Sequence, residues 1–305
     1  MSQTVAQKTN HAGFPKAGEL IEITGAYALE ALDRAILNLL YQHAHDSGWL
    51  TDIDAEWELP MSALRPSHLH KGDERVRDSL DRLMRVVVRV PLPDARTGEP
   101  RLLLTNLFEF FDLSADEDRQ GATVRFGVPK KLRPILSRSN RWGRIKAEVV
   151  CAMTSKYAIA LYELVQLRAG LDRCVEHFSL ERFRDLLSVP PGKLTRGPDF
   201  ERRVIEPALL EVNGLSDISV KIELSRPYSR APITGVTLVW WRKEGNEFRA
   251  AYAERMRSKL GRMARLRGLV ETVSIGDPGS PAQQSKHVYK LSRVPTAGPQ
   301  MTESR

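Results

Sequence analysis

MTSKYAIALYELVQLRAG (residues 153–170), FSLERFRDLLSVPPGKL (178–194), PDFERRVIEPALLEVNGLSDISVKIELS (198–225) and ITGVTLVWW (233–241) are the segments that decide the fold. In the first, Ala158, Leu161, Tyr162 and Val165 recur at helical spacing, Thr154 or Ser155 can cap the start, and Gly170 stops the run. A brief strand is expected at 177–179. A second helix follows over 180–187, with Phe183, Leu186 and Leu187 on its apolar side. Pro190, Pro191 and Gly192 end it, because proline disfavours helix before itself and glycine permits a tight turn. The third helix is expected over 198–212. Pro198 sits in its first turn, where no amide hydrogen bond is lost, and Phe200, Val204, Ala208 and Val212 form its buried stripe. Pro207 should kink it, and Asn213-Gly214 should close it. Ile218, Val220, Ile222 and Leu224 then alternate with polar residues, as a half-buried strand requires. A basic loop leads to a partner strand over 233–240.

Helix, short strand, helix, turn, helix, strand, basic loop, strand is the order of a winged helix-turn-helix. Working outward, the first 140 residues give a similar order. A helix is expected over 28–45, with Leu29, Leu32, Ala35, Ile36, Leu39 and Leu40 on one face. A short helix is expected over 60–64, and a stronger one begins at Asp73, lined by Val76, Leu80, Leu83 and Met84. Strands over 86–92 and 101–111 flank the loop PDARTGEP, and a further strand (123–128) and a short helix (129–136) follow. Residues 138–148 read as a strand or a connector. The expected fold is α+β: two tandem winged helix-turn-helix domains with an added basic C-terminal helix. The expected divisions are a flexible tail over 1–18, a first domain over 19–146, a second over 147–243, a basic amphipathic helix over 244–270 and a flexible tail over 271–305. Within the basic helix, Phe248, Tyr252, Met256, Leu260 and Met263 repeat at helical spacing.

Composition narrows the partner. The chain has 305 residues, a hydrophobic content of 42% and a formal charge of +8, which suits packed cores and an anionic partner. The charge is concentrated: Lys130 to Lys146 carries no acid, and Arg242 to Arg267 holds nine basic residues against three acids. Cys151 and Cys174 are too few for a cysteine zinc cluster and read as core thiols. No run approaches the ~18 apolar residues that cross a membrane, and the N-terminus lacks an apolar signal core, so a cytoplasmic protein is expected. His68-Leu69-His70 is a metal-binding pattern of nicking enzymes, but it lies outside any strand pattern, and Tyr157 and Tyr162 read as core. His43 and His45 read as a solvated helix end. With no GxxxxGK[ST] phosphate loop and no convergent carboxylates, neither enzyme activity nor a cofactor is expected.

In a winged domain one helix enters the major groove, while the preceding helix and the wing touch phosphates. Arginine can bracket guanine with two donors, so Arg202 and Arg203 are the base-reading candidates. Lys193 and Arg196 before that helix, Arg182 and Arg184 on the second helix, and Lys221, Arg226 and Arg230 on strand and wing are backbone candidates. Lys71, Arg75, Arg77, Arg82 and Arg85 form a first-domain set. Lys130, Lys131, Arg141, Arg144, Arg255, Lys259 and Arg262 form accessory basic patches. For each, the plain alternative is a solvated charge in a weak surface pair.

The runs SKYAIALYEL (155–164) and RVIEPALLEVN (203–213), in that order and at that separation, resemble the iteron-binding plasmid replication initiators (the Rep family). That resemblance implies two tandem winged-helix domains, with monomers binding direct repeats of origin DNA. It also implies opening of an AT-rich region, recruitment of a host initiator and replicative helicase, an equilibrium with a homodimer, and repression of the protein's own gene. The segment PPGKLTRGPD (190–199) departs from the family pattern, in which a tyrosine-bearing segment is expected. The rival readings are a transcriptional repressor using the same two domains and a protein-interaction scaffold, since fold alone does not fix function.

Overall fold

The computed structural model describes residues 12–48, 52, 54–65, 73–94, 96–114, 121–228, 231–271 and 291–293. They fall into two compact units divided between Met256 and Arg257.

The first unit opens with β1 (Phe14–Ala17), which pairs antiparallel with β7 (Trp142–Ile145). The expectation of a loose tail over 1–18 therefore fails for its last residues: Phe14 and Ala17 are buried. Gly13 is required at the entry. It has φ +88°, and a Cβ there would lie 2.5 Å from the Ile145 carbonyl oxygen. After α1 (Gly18–Ile21), α2 (Ala31–Asp46) starts with a capping box in which Glu30 and Asp33 bond each other's backbone. Of the expected stripe, Ala35, Ile36 and Leu40 are buried and Leu32 and Leu39 half-buried. Leu29 is buried ahead of the helix. Asp33, Arg34 and Asn38 are buried as well, so α2 is a central helix and not a surface one.

β2 (Trp57–Pro60), which the sequence does not suggest, leads into a 3₁₀ helix (Met61–Leu64) where the short helix over 60–64 is expected. α3 (Asp73–Arg85) then buries Val76, Leu80 and Leu83, as their spacing requires. The Asp73 carboxylate takes the Arg65 guanidinium, with Nε 2.7 Å away. β3 (Val87–Pro93) and β4 (Pro100–Asn106) make a hairpin whose loop is tied by Asp94. Its carboxylate accepts from the amides of Arg96 and Thr97 and from Arg101, and these bonds hold it below the usual carboxylate range. The expected long strand over 101–111 is broken: β5 (Phe110–Leu113) joins β2 and β6 (Thr123–Gly127) in a separate sheet of order β2-β6-β5. Two short helices, α4 (Arg133–Arg138) and α5 (Ala147–Ala152), flank β7.

α6 (Lys156–Arg168) is capped by Ser155, whose side chain accepts from the Ala158 amide. It packs against β7 and α2 on one side and against the third helix of the second domain on the other. β8 (Val175–Ser179) and α7 (Leu180–Leu186) follow. Then α8 (Gly197–Phe200), a π-helical turn (Glu201–Ile205) and α9 (Glu206–Leu215) run on without a break. β9 (Ile218–Ser225) and β10 (Gly235–Arg242) complete a sheet of order β8-β10-β9. The helix passes through Asn213-Gly214, where the sequence suggests a stop. The Asn213 amide explains this: its Nδ2 donates to Val220 O at 2.9 Å and its Oδ1 accepts from the Val220 amide at 2.7 Å.

One hydrophobic cluster runs from Phe14 through α2 and α6 to Trp240. A buried polar cluster sits within it. Lys16 Nζ donates to Glu163 Oε1 (2.7 Å) and Asn38 Oδ1 (3.2 Å), and Asn38 Nδ2 donates to the same Glu163 oxygen. Burial pulls the Lys16 amine below the usual lysine range, against the opposing pull of Glu163.

α10 (Gly245–Met256) ends the first unit. The long basic helix expected there is interrupted at 257–261. In the second unit, Gly261, with φ +70°, precedes α11 (Arg262–Leu266). There β11 (Leu269–Glu271) pairs with β12 (Leu291–Arg293). The rest of the expected C-terminal tail lies outside the described residues.

Candidate nucleic-acid interface

The turn between α7 and α8 sets how the third helix is presented. Three of its residues take left-handed backbone: Gly192, as its glycine allows, and Ser188 and Leu194, which carry side chains. Their cost is offset by specific bonds. Arg184 Nη1 donates to Leu194 O at 3.0 Å, its Nη2 donates to Lys193 O, and the guanidinium lies 5.0 Å from the Phe200 ring centre. Ser188 Oγ accepts from Arg34 Nη2 at 2.6 Å, which ties the turn to the buried helix of the first domain. Arg184, a backbone-contact candidate, thus serves the fold, and burial lowers its pKa.

Phe200, Val204, Ile205, Ala208 and Val212 are buried, so this helix is anchored along one face. Pro207 has no amide hydrogen, and an ordinary α-turn before it would press its ring on a carbonyl. The chain widens instead, with the Glu206 amide bonding Glu201 O five residues back. The widened turn carries Arg202 and Arg203, both exposed. Arg202 lies 3.3 Å from Asp199, an exposed pair of small energetic weight. Arg203 has no hydrogen-bond or ion-pair partner among the described residues. Further along, the buried Glu211 carboxylate accepts from the Thr154 and Ser155 amides and the Thr154 hydroxyl. That bond network fixes α9 to the start of α6 and satisfies donors a helix start leaves open.

The wing is tied to the same turn. Arg226 Nη2 reaches Glu201 Oε2 and its Nη1 reaches Ala231 O, each at 3.4 Å. Tyr228, on the loop, is 69% exposed; no periodicity points to it, and only its place between two strands would have found it. Lys221 pairs with Glu223 at 2.6 Å and holds that carboxylate below its usual range. Lys193 and Arg196 are exposed beside the helix start. Arg230 lies outside the described residues. Arg182 is exposed at the start of α7, on the rim of a cavity lined also by Trp142, Arg168 and Phe178.

The first-domain candidates are used differently. Arg82 forks onto Asp33, with Nε and Nη2 at 2.9 and 2.8 Å, and Asp33 is fully buried. Arg85 pairs with Asp81 at 3.1 Å on the surface. Arg75 is exposed and Arg77 half-buried. Lys71 and the triplet His68-Leu69-His70 lie outside the described residues. Of the accessory patches, Lys130 and Lys131 are exposed, Lys130 being 3.4 Å from Asp54. Arg141 pairs with Glu22 at 2.7 Å, and Arg168 holds the other oxygen of that carboxylate at 2.8 Å. Burial would raise the Glu22 pKa, but the two guanidiniums hold it below the usual range. Arg144 Nη1 faces Gly13 O at 3.4 Å, and Arg255 lies over the Tyr252 ring. Lys259 is half-buried, and Arg262 is buried and donates to Arg257 O, so it presents no charge to solvent.

His43 Nε2 lies 3.0 Å from Glu58 O, and His45 pairs with Asp46. Among the described residues, no group of three or more His, Cys, Asp or Glu side chains is placed to hold a metal. Tyr162 is fully buried and Tyr157 half-buried. Cys174 is exposed and Cys151 half-buried, which corrects the reading of both as core thiols. Among the described residues no helix is long and apolar enough to cross a membrane.

Two helix-turn-helix units, each followed by a hairpin, define a tandem winged-helix protein. The model for "Initiator Replication protein, WH1" matches residues 16–166, and that for "Initiator Rep protein, WH2" matches residues 179–240. The two cover more than two thirds of the chain in the expected order, and the chain belongs to the Rep family of plasmid replication initiators. The WH1 match reaches into α6, the helix that packs on both domains. No curated protein sequence matches significantly. Among solved structures, the Pi initiator protein in complex with iteron DNA is 15% identical, with a TM-score of 0.51, over 76% of this chain and 97% of that one. A structure of domains 2 and 3 of RctB is 12% identical, with a TM-score of 0.44, over 69% and 81%. The first of these shares the fold.

Proposed function

We propose that this initiator binds direct repeats at its replication origin as duplex DNA, with 147–243 as the main reader and 19–146 as accessory reader or dimerisation module. The observation that carries the proposal is the ordered match of both initiator domains on one chain. The iteron DNA of the Pi structure supports the same reading. Arg203 and Arg202 read bases from the major groove. Lys193, Arg196, Lys221, Arg226 and Arg182 hold phosphates around them, and Tyr228 lies against the neighbouring minor groove. Arg75, Arg77, Arg85, Lys130, Lys131 and Arg141 contribute further phosphate contacts, which make affinity fall with salt.

Bound copies on successive repeats bend and underwind the adjoining AT-rich duplex. The deformability of that sequence sets the cost. The opened region then receives a host initiator and the replicative helicase. Monomer is in equilibrium with homodimer, and the protein acts in the cytoplasm and also represses its own gene.

Footprinting of the purified chain on DNA flanking its own gene, at several salt concentrations, tests this. Protection of regularly spaced direct repeats is expected. Protection of one inverted repeat alone would replace origin binding with transcriptional control. Failure to bind any duplex at moderate salt would favour a protein-interaction scaffold.

A further inference from the structure

α10 is held to the body of the first unit by one face and shows solvent a face of the wrong polarity. Ala251 and Glu254 are buried, and the helix packs along α9. On the other side Phe248, Tyr252 and Met256 follow at four-residue steps and are 42%, 50% and 71% exposed. Residues four apart on a helix line up on one side, so the three form a continuous stripe. Scattered single exposed apolar residues need no explanation, whereas an aligned aromatic, aromatic and methionine set marks an interaction surface.

The rims of the stripe are cationic. At 100° per residue Arg249 falls on one side of Tyr252 and Arg255 on the other. Arg249 is exposed, and the Arg255 guanidinium lies 5.2 Å from the Tyr252 ring centre while Nη1 donates to Leu215 O at 3.4 Å. Arg255 is therefore fixed in place beside the stripe. Methionine and aromatic side chains adapt to a facing helix, and basic flanks select an acidic one.

We propose that this face of α10 docks an acidic amphipathic helix of another protein, with Phe248, Tyr252 and Met256 as anchors and Arg249 and Arg255 setting the charge preference. Duplex DNA fits less well, since the centre of the face is apolar. A membrane surface also fits less well, because α10 is clamped along α9 and offers only these three side chains for insertion.

The test uses the full chain and a fluorescent synthetic helix of about three heptads, with leucine at its a and d positions and glutamate elsewhere on its flanks. A twin with lysine in place of glutamate is the control. Anisotropy titration should show the acidic helix binding at least tenfold tighter than the basic one. The variant carrying Tyr252→Ser and Met256→Ser should lose tenfold or more. Arg249→Glu should weaken the acidic helix and strengthen the basic one. Circular dichroism melts of these variants should match the parent, because every changed side chain is exposed.

Equal binding of both helices, or binding unchanged in the variants, would overturn the proposal. So would a parent dimer in sedimentation that becomes monomer in the Tyr252→Ser, Met256→Ser variant, which would make a second copy the occupant. Binding of phosphatidylserine vesicles that is lost in the variant, with neither helix bound, would make the face a lipid contact instead. None of these readings depends on DNA binding, so origin recognition and this surface stand or fall separately.

Discussion

The third helices of the two winged domains deploy arginine in opposite ways. In the first domain Arg82 turns in and clamps α3 to the buried Asp33 of α2, and Arg85 pairs with Asp81 along α3 itself. In the second domain an apolar stripe, Glu211 and Asn213 do the holding, and Arg203 has no partner among the described residues. A helix held by its own charges orients well but reads little. A helix held by core packing and by carboxylate and amide contacts at its far end can present its charges to a ligand. Similar element orders are thus compatible with the different tasks proposed above, phosphate contact in the first domain and base reading in the second.

The contrast is open to attack at several points, beginning with the clamp. Asp33 accepts bonds from Arg82, the Ser79 hydroxyl and the Glu30 amide. Asp33→Ala should destabilise the chain by about 1–3 kcal/mol, because the buried Ser79 hydroxyl loses its acceptor while Arg82 stays partly solvated. Urea unfolding followed by tryptophan fluorescence measures it. A loss under ~1 kcal/mol would mean that α3 is held by its apolar stripe, as α9 is, and the contrast would disappear.

Arg75→Glu should come next, lowering affinity for repeat and scrambled duplexes alike by roughly tenfold and reducing the salt slope by about one. Anisotropy at several salt concentrations reads both. A change in sequence preference would make the first domain a base reader.

Lys243 offers a smaller effect. Its amine caps the end of α9, donating to Asn213 O and, at 2.9 Å, to Ser216 O. Burial lowers its pKa from 10.5 to about 8. Between those values the unfolded chain holds a proton that the folded chain has released, so stability rises with pH across that window. The gain from pH 8 to 9 should be on the order of 1 kcal/mol and absent in Lys243→Met. A flat profile in the parent would place the amine in solvent and leave α9 without that cap.

Smallest is Arg226→Met, which removes an exposed pair and should cost at most about 1 kcal/mol of stability. Its DNA affinity should nonetheless fall severalfold, because a proposed phosphate contact and the wing's tie to Glu201 are lost together. Unchanged affinity would rule out both roles.

Much of this arrangement is legible along the chain. The apolar steps in 73–85, 154–168 and 198–212 correspond to helices with those residues buried, because a stripe at helical spacing has one way to hide from water. Ile218 to Leu224 is a strand for the equivalent reason. What is hidden depends on partners far away in sequence. β1 needs β7, some 130 residues on, and four residues hold too little pattern to announce a strand. β2 likewise exists only through β6. Pro207 signals trouble in its helix, but whether the chain breaks, bends or widens depends on the packing around Val204 and Ala208. For the interface, charge alone does not separate Arg82 and Arg184, which serve the fold, from Arg203 and Arg196, which face outward. A buried acceptor such as Asp33 reads in sequence like any surface aspartate.

The most direct test of the central claim is the ratio of affinities for a footprinted repeat duplex and a scrambled one, measured for the parent chain and for Arg203→Glu at the same salt. The account predicts that Arg203→Glu brings the ratio close to one while leaving stability within about 0.5 kcal/mol of the parent. A ratio that survives the substitution would contradict the placement of base reading in the turn ahead of Pro207.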